Sequence, residues 1–258
     1  IRQPAVAGSF YPDNPNVLSA MLAGYLEQVT PSSKVPKAII VPHAGYIYSG
    51  ACAAQAYARL AAQHATIKHV VLLGPSHHVG FTGLALSSAD AFNTPLGDIP
   101  LDKDSIASLL QFPFVQCLDQ AHALEHSLEV QLPFLQMTLD DFSLIPIVAG
   151  DCPAEQIEQV LELFYSQPNT LIVISSDLSH FHDYATAQRL DQVTSEKIEN
   201  LDYQHLDFDS ACGRVPVSGL LALAKKKSLQ IKTIDLRNSG DTAGDKSRVV
   251  GYGAYVID

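Results

Sequence analysis

The sequence lacks an excess of positive charge. Its 258 residues include 16 Lys and Arg against 27 Asp and Glu, which gives a formal net charge of −11. Proteins that bind the phosphate backbone of nucleic acids carry clustered positive charge, so we expect no nucleic-acid partner. The lysine run at 225–227 is interpreted as the solvated end of a helix.

Paired cysteines and long apolar runs are also missing. The four cysteines form no CxxC pair and no regular spacing, which argues against a disulfide framework and against a zinc site built from thiolates. No stretch approaches the roughly 20 apolar residues of a membrane span, and no signal-peptide pattern opens the sequence. These absences predict a reduced cytoplasmic protein without a membrane partner.

No linker, charge block or internal repeat divides the chain. A chain of 258 residues that is 47% apolar can bury a full core, so we expect a single domain over residues 1–258. Helical periodicity alternates with short apolar runs. It predicts helices at 16–29, 50–63, 103–111, 125–138, 154–166, 184–200, 207–212 and 216–227, and strands at 38–42, 69–73, 143–148, 171–175, 230–235 and 249–257.

The composition of the strands indicates how they are arranged. The continuous apolar runs at 69–73 and 171–175 are typical of parallel strands covered on both faces, whereas the run at 249–257 alternates and is expected to be antiparallel. The sequence therefore predicts an α/β fold, a three-layer domain with a mixed, mostly parallel central sheet.

Three of the predicted strands end in polar clusters that contain histidine. The clusters supply His43, His77, His78, Asp177 and His180. Open α/β sheets place ligands at the carboxyl ends of their strands, so we expect these side chains to share one rim. Neutral imidazoles together with a carboxylate bind first-row transition metals. The pattern therefore predicts a metal site.

His43 and His77 are the strongest candidate ligands because each follows a buried strand. His78 is the alternative to His77. Spacing alone does not identify the third ligand, and Asp241, in a Gly- and Asp-rich loop, has the composition of a turn residue. The candidates for the third ligand are Asp177, His180, Glu125, His126, Glu129 and Asp241.

Several long motifs in this order resemble the Memo family. They are RQPAVAGSFYP at 2–12, VPHAGYIYSG at 41–50, LLGPSHH at 72–78, EHSLEVQLPFLQ at 125–136, SSDLSHF at 175–181, CGRVP at 212–216 and NSGD at 238–241. Memo proteins are similar in fold and cleft to the class III extradiol ring-cleaving dioxygenases, which are non-haem iron enzymes. The resemblance implies a class III extradiol dioxygenase-like domain.

The resemblance also implies a ligand set of His43, His77 and Asp241. The animal Memo proteins have a cysteine as third ligand, so an aspartate would be a departure that restores the two-His-one-carboxylate set of the dioxygenases. A carboxylate shifts metal preference away from copper(I). We therefore expect iron(II), with manganese, copper and zinc as alternatives. Cys212 is interpreted as a small buried apolar residue.

Two further residues have expected roles near the substrate. His180 matches the acid/base histidine of the dioxygenases, a role that suits a group titrating near neutrality. Asp177 either orients His180 or a ligand histidine, or caps a helix that begins beyond it.

The remaining cleft candidates come from two motifs. On a helix that begins at 125, Glu125, His126 and Glu129 could share roughly one face, but this spacing is only weakly specific. The resemblance of the segment to a Memo motif implies that His126 lines the cleft, with Glu125 as a partner behind it. Ser76 and His78 precede and follow His77, and Ser76 either contacts substrate or satisfies a loop amide.

The expected function is that of an iron(II)-dependent, dioxygenase-like oxidoreductase acting on a small phenolic or related substrate. Two alternatives stay open: a non-catalytic module that binds a metal or a peptide in the inherited cleft, and a metal-dependent hydrolase. The expected cleft ligand is accordingly a small molecule or a peptide. Microbial Memo relatives also imply a functional association with a radical-SAM protein.

Overall fold

A nine-stranded sheet forms the centre of the protein in a computed structural model that describes residues 1–258. Two further strands form a separate hairpin. The strands are β1 (Ala38–Val41), β2 (His69–Pro75), β3 (Leu84–Leu86), β4 (Ala91–Thr94), β5 (Gly97–Pro100), β6 (Val115–Cys117), β7 (Ser143–Ala149), β8 (Thr170–Ser175), β9 (His180–His182), β10 (Lys232–Asn238) and β11 (Val249–Ile257).

Nine α-helices surround the sheet. They are α1 (Pro15–Glu27), α2 (Tyr46–Tyr57), α3 (Lys103–Leu109), α4 (Asp119–Ala123), α5 (His126–Glu129), α6 (Gln131–Thr138), α7 (Ala154–Tyr165), α8 (Tyr184–Glu199) and α9 (Arg214–Lys226).

The sheet has a parallel centre that is flanked on each side by an antiparallel pair, β11–β1 and β7–β3. Its order is β10-β11-β1-β8-β2-β7-β3-β6, with β9 paired to β11. The pairs β1–β8, β8–β2 and β2–β7 are parallel, whereas β11 pairs antiparallel with both β1 and β10. The predicted mixed sheet and the antiparallel final strand are confirmed.

Helices cover both faces of the sheet. α2 connects β1 to β2, and α7 connects β7 to β8 in the opposite direction along the strand order. Because such crossovers are right-handed, the two helices lie on opposite faces of the sheet. α1 and α6 pack against α2, while α9 packs against α7 and against β2 and β8. The three-layer α/β architecture is therefore confirmed.

The structure differs from the predicted elements at several positions. The segment 207–212 is a turn, because the Asp207 carboxylate accepts hydrogen bonds from the backbone and hydroxyl of Ser210 and so replaces a helical turn. The predicted helix 125–138 divides at Val130 into α5 and α6. The short elements β3, β4, β5, β6, β9 and α4 were not predicted, since three to five residues are too few for a clear periodicity.

The core is one continuous cluster of 63 buried residues that extends from Tyr11 to Ile257. It includes the predicted apolar runs of β1, β2 and β8. None of the helices has the length and apolar character needed to cross a membrane.

One histidine, His122 in α4, is buried beside this core. It is only 2% exposed. Its Nε2 donates to the Ala85 carbonyl at 2.9 Å, and its Nδ1 has no partner. Burial, assisted by the nearby Arg2 charge, lowers the pKa of His122 to about 4 despite the bond to Ala85.

The lowered pKa of His122 predicts acid sensitivity. An unfolded histidine takes up its proton near pH 6.5, so between about pH 6.5 and 4 the unfolded chain binds the additional proton and stability falls as the pH falls. We expect the titration of His122 to lower the free energy of unfolding by about 2 kcal/mol between pH 7 and pH 5. His122→Gln keeps a donor for Ala85 without titrating, so urea unfolding at the two pH values should show a smaller loss than in the wild type. An equal loss in both proteins would contradict this prediction.

Candidate metal centre

Three neighbouring parallel strands bring the predicted histidines together. His43 follows β1 after Pro42, and His77 follows β2 after a short turn. β8 lies between β1 and β2 in the sheet and leads directly into Asp177. Since all three strands are parallel, their carboxyl ends meet at one edge, as the sequence predicted.

His43, His77 and His126 form a compact imidazole cluster. The ring centroids are 5.3 Å apart for His43 and His77, 5.4 Å for His43 and His126, and 4.7 Å for His77 and His126. One ring nitrogen of each residue lies within 4.8 Å of the others. Burial, together with the neighbouring imidazoles, lowers the pKa of His43 to about 3 and that of His126 to about 4. The neutral rings keep their lone pairs, as metal ligands must.

A second group of ligand atoms shares His43 and adds Asp177 and Cys212. The Cys212 Sγ lies 3.3 Å from the His43 Nε2, and the nearer Asp177 oxygen lies 3.8 Å from that same nitrogen. Gly213 permits this approach, because a Cβ there would lie 2.6 Å from the Cβ of Ser176. Burial, and then the charge of Asp177, raises the pKa of the Cys212 thiol. Cys212 therefore lines the cleft, which corrects its interpretation as a purely apolar core residue.

Asp241, the predicted third ligand, is not part of either group. It ends a short 3-10 turn at Ser239–Asp241, where its Oδ2 accepts the backbone N–H of Asn238 at 2.9 Å and its Oδ1 accepts the hydroxyl of Tyr184. Its side chain lines a separate cavity of about 290 Å³ that contains none of the cleft histidines. The Asp241 carboxylate thus closes a turn, and the side chain beside His43 is the Cys212 thiol. The assignment of Asp241 as third ligand stays a prediction.

Glu125 holds His77 in place. Its carboxylate accepts the His77 backbone N–H at 2.6 Å and faces the His77 Nδ1 at 2.8 Å. Burial alone would raise the pKa of Glu125, but the His77 side-chain and backbone bonds hold it at about 2. A carboxylate can only accept, so Nδ1 carries the proton and the Nε2 lone pair of His77 is left for a ligand. Glu125 thus occupies the position behind the cleft that the sequence suggested.

Asp177 is buried at 4% exposure and orients His43. Its Oδ1 accepts the His43 backbone N–H at 2.8 Å. No helix follows it; β9 follows, and the cap of α8 is Asp183. The alternative that Asp177 caps a helix is therefore wrong. Its hydrogen-bond partner is His43, a candidate metal ligand.

His180 begins β9 at the border of the cluster. Its charge contributes to the pKa of both His43 and Asp177, which places it near them. The next residue, Phe181, has φ of 67°, in the left-handed region that costs a non-glycine residue energy. His180 is partly exposed and has no hydrogen-bond partner in the protein, so its ring is free to meet a cleft ligand.

Ser76 and His78 lie at the margin of the cleft. The Ser76 hydroxyl donates to the Val79 carbonyl at 2.5 Å, so it satisfies its own loop. His78 is exposed, and its ring centroid lies 6.4 Å from that of His126. His77, and not His78, joins the imidazole cluster.

The amino-terminal segment forms a wall of the cleft that sequence reasoning did not identify. Phe10 packs against His126 with ring centroids 4.8 Å apart. Glu129, at 1% exposure, pairs with Arg2 at 2.5 Å and accepts the Tyr11 hydroxyl at 2.7 Å. Glu129 was visible in the sequence as an acidic residue of the EHSLEV motif. Its partner Arg2 lies 127 positions away, so local pattern did not connect the two residues.

The fold and these contacts define an α/β protein with a cluster of histidines and a cysteine at the carboxyl edge of its sheet. The family model described as Memo-like protein matches residues 2–256. Relatives named MEMO1 family protein include one from Aquifex aeolicus, 38% identical over 98% of this chain and 97% of the relative. Others are from Metallosphaera sedula, 35% identical over 97% of each chain, and Archaeoglobus fulgidus, 34% identical over 100% of this chain and 99% of the relative. The chain belongs to the Memo family.

Proposed function

We propose that the cleft binds one redox-active first-row metal ion and that the protein is an oxidoreductase acting on a small phenolic or related substrate. The observation that carries the proposal is that two ligand groups meet at His43: its ring with the rings of His77 and His126, and its Nε2 with the Cys212 Sγ and Asp177. Ligand atoms about 2.1 Å from one ion lie at most about 4.2 Å apart, and the atoms of each group lie within 4.8 Å. Each group therefore fits a metal after small adjustments.

His43, the residue common to both groups, would hold the ion, with its further ligands drawn from His77, His126, Asp177 and Cys212. Imidazole suits iron, copper and zinc, and a thiol moves preference away from manganese and magnesium. Iron(II), which the resemblance to the dioxygenases implies, is our first candidate, and copper and zinc, which the thiol favours, are the competitors. When bound with open coordination positions, such an ion supplies electron transfer and Lewis acidity.

The protein residues supply binding, orientation and proton movement. Glu125 and Asp177 hold the His77 ring and the His43 backbone in place. The Phe10 ring, packed on His126, excludes water from one side of the cleft. His180, with no protein partner, is the group able to take a proton from a substrate hydroxyl at its ring nitrogen and return it later.

Zinc-dependent hydrolysis is a second candidate, favoured by one observation. The group of Cys212, Asp177 and His43 offers a thiol, a carboxylate and an imidazole, which are all ligand types that zinc takes. Metal identity separates the two candidates, because zinc has no redox chemistry.

The test loads metal-free protein without oxygen with iron(II), copper(I), zinc(II) or manganese(II), one at a time. Bound metal is counted by mass spectrometry, and oxygen uptake is then followed with a panel of catechols. We expect about one equivalent of iron and oxygen uptake that depends on the catechol. Tight zinc binding with ester hydrolysis and no oxygen uptake would favour the hydrolase, and no bound metal would remove both.

Matched variants identify the ligands in the same experiment. Cys212→Ser should lower metal occupancy, whereas Asp241→Asn should leave it unchanged, since Asp241 closes a turn elsewhere. Cys152→Ser is the control for a second buried cysteine away from the cleft. His180→Ala should keep the metal and lose oxygen uptake. Full occupancy in Cys212→Ser together with loss in Asp241→Asn would overturn the ligand assignment.

A further inference from the structure

A buried polar chain behind the cleft leads to the non-ligating side of His43. It consists of Tyr57 at the end of α2, Gln131 at the start of α6, and Ser175 at the end of β8. All three are 0% exposed. Buried polar side chains in an apolar core are costly unless every donor and acceptor is matched, so their hydrogen bonds can be counted one by one.

The orientation of the Gln131 amide is fixed by a carbonyl that can only accept. The Gln131 Nε2 lies 2.8 Å from the Pro42 carbonyl and 2.9 Å from the Ser175 Oγ, and its Oε1 accepts the Tyr57 hydroxyl at 2.7 Å. Rotating the amide by 180° would set two acceptors against each other at Pro42. Gln131 therefore donates to Ser175.

A second carbonyl fixes the proton of the Ser175 hydroxyl. The Ser175 Oγ lies 2.6 Å from the Ser127 carbonyl oxygen, a separation that requires a proton between the two atoms. The hydroxyl has only one proton, and Ser127 takes it. Both lone pairs of Ser175 are then acceptors, one for Gln131 and one for the His43 Nδ1 at 2.8 Å.

We propose that Ser175 and Gln131 are positioning residues that hold His43 in the tautomer with its proton on Nδ1, so that the Nε2 lone pair faces the cleft. Ser175 has no proton left to give, so the His43 Nδ1 must be the donor. The Nε2 is the atom 3.3 Å from the Cys212 Sγ. Tyr57 completes the chain by holding the Gln131 oxygen.

The inference deepens the proposed function, because its metal-affinity measurement rests on that function. The tautomer itself is measured in metal-free protein. Two-bond ¹H–¹⁵N correlation spectra distinguish the two tautomers of each histidine, and His43→Gln identifies the His43 signals. We expect the wild type to show Nδ1–H. An Nε2–H pattern in the wild type would overturn the inference without any variant of the polar chain.

The variant test uses Ser175→Ala, with Ser195→Ala as its matched control. Ser195 is also a buried serine, bonded to the Tyr255 hydroxyl at 2.7 Å and away from the cleft. We expect Ser175→Ala to populate Nε2–H on His43 and to weaken metal binding about 10–100-fold, as is typical when a group that orients a ligand is removed. Ser195→Ala should match the wild type in both readouts.

A second variant covers the case in which Ser175→Ala does not fold. Gln131→Met keeps the approximate shape and removes the donor that fixes the Ser175 oxygen. Since Ser127 still takes the hydroxyl proton, this variant should keep Nδ1–H on His43 but bind metal more weakly. Unchanged Nδ1–H in folded Ser175→Ala, or wild-type affinity in both folded variants, would overturn the inference. A wild-type protein with the expected tautomer but no affinity for any metal would overturn the proposed function instead and leave this inference standing.

Discussion

His43→Ala is expected to abolish stoichiometric metal binding. His43 belongs to both ligand groups, so its loss removes one ligand from the imidazole cluster and one from the group with Asp177 and Cys212. The affinity should fall by more than the roughly 10–100-fold expected for a group that only orients a ligand. Chelator competition on protein loaded without oxygen gives the affinity, and mass spectrometry gives the occupancy.

His69→Ala is the matched control, because β2 has a histidine paired with a carboxylate near each end. The His69 Nδ1 lies 2.8 Å from the Asp102 Oδ2, and the His77 Nδ1 lies 2.8 Å from the Glu125 Oε1. Only the second pair is at the cleft. We expect His69→Ala to bind metal like the wild type and His77→Ala to bind it weakly. Full occupancy in His43→Ala would remove the metal centre from this edge of the sheet.

The sequence predicted the residues of this site that directly follow a strand. His43 and His77 stand next to continuous apolar runs, and those runs show both the strand and the end at which its ligand lies. His126 was expected to line the cleft because of its motif. Local pattern was sufficient to bring His43 and His77 together, whereas His126 required the resemblance to a family motif.

Cys212 and Asp241 show where local pattern was insufficient. An aspartate in a Gly-rich loop looks the same in sequence whether it binds a metal or closes a turn, and Asp241 closes a turn. Cys212 precedes α9 and reaches His43 across 169 positions, an approach that depends on the close packing of Gly213 on Ser176. Such a contact becomes visible only when the layers are assembled.

Glu129→Ala is expected to destabilise the protein by about 3–5 kcal/mol, the range for breaking a buried ion pair on one side. The Glu129 carboxylate accepts from Arg2, from the backbone of Ala5 and Val6, and from the Tyr11 hydroxyl. Its removal leaves these donors buried without a partner and leaves Arg2, at 8% exposure, with an uncompensated charge. Urea unfolding of metal-free protein measures the loss.

Two controls separate the buried pair from an ordinary ion pair. Lys226 bonds to Glu158 and Glu162 with its side chain 52% exposed, so Lys226→Ala should cost far less stability than Glu129→Ala. The double variant Arg2→Ala with Glu129→Ala should lose less stability than the sum of the two single variants, because neither charge is then left alone. Additive losses would show that the two side chains act independently.

The same pair connects the stability of the amino-terminal segment to the cleft. Arg2 also donates to the Glu125 carbonyl at 2.7 Å, and Glu125 holds His77. The segment that Glu129 fastens carries Phe10 against His126. We therefore expect folded Glu129→Ala to bind metal more weakly than the wild type even where it is fully native. Unchanged affinity at a reduced stability would mean that the amino-terminal wall supports the fold and not the metal centre.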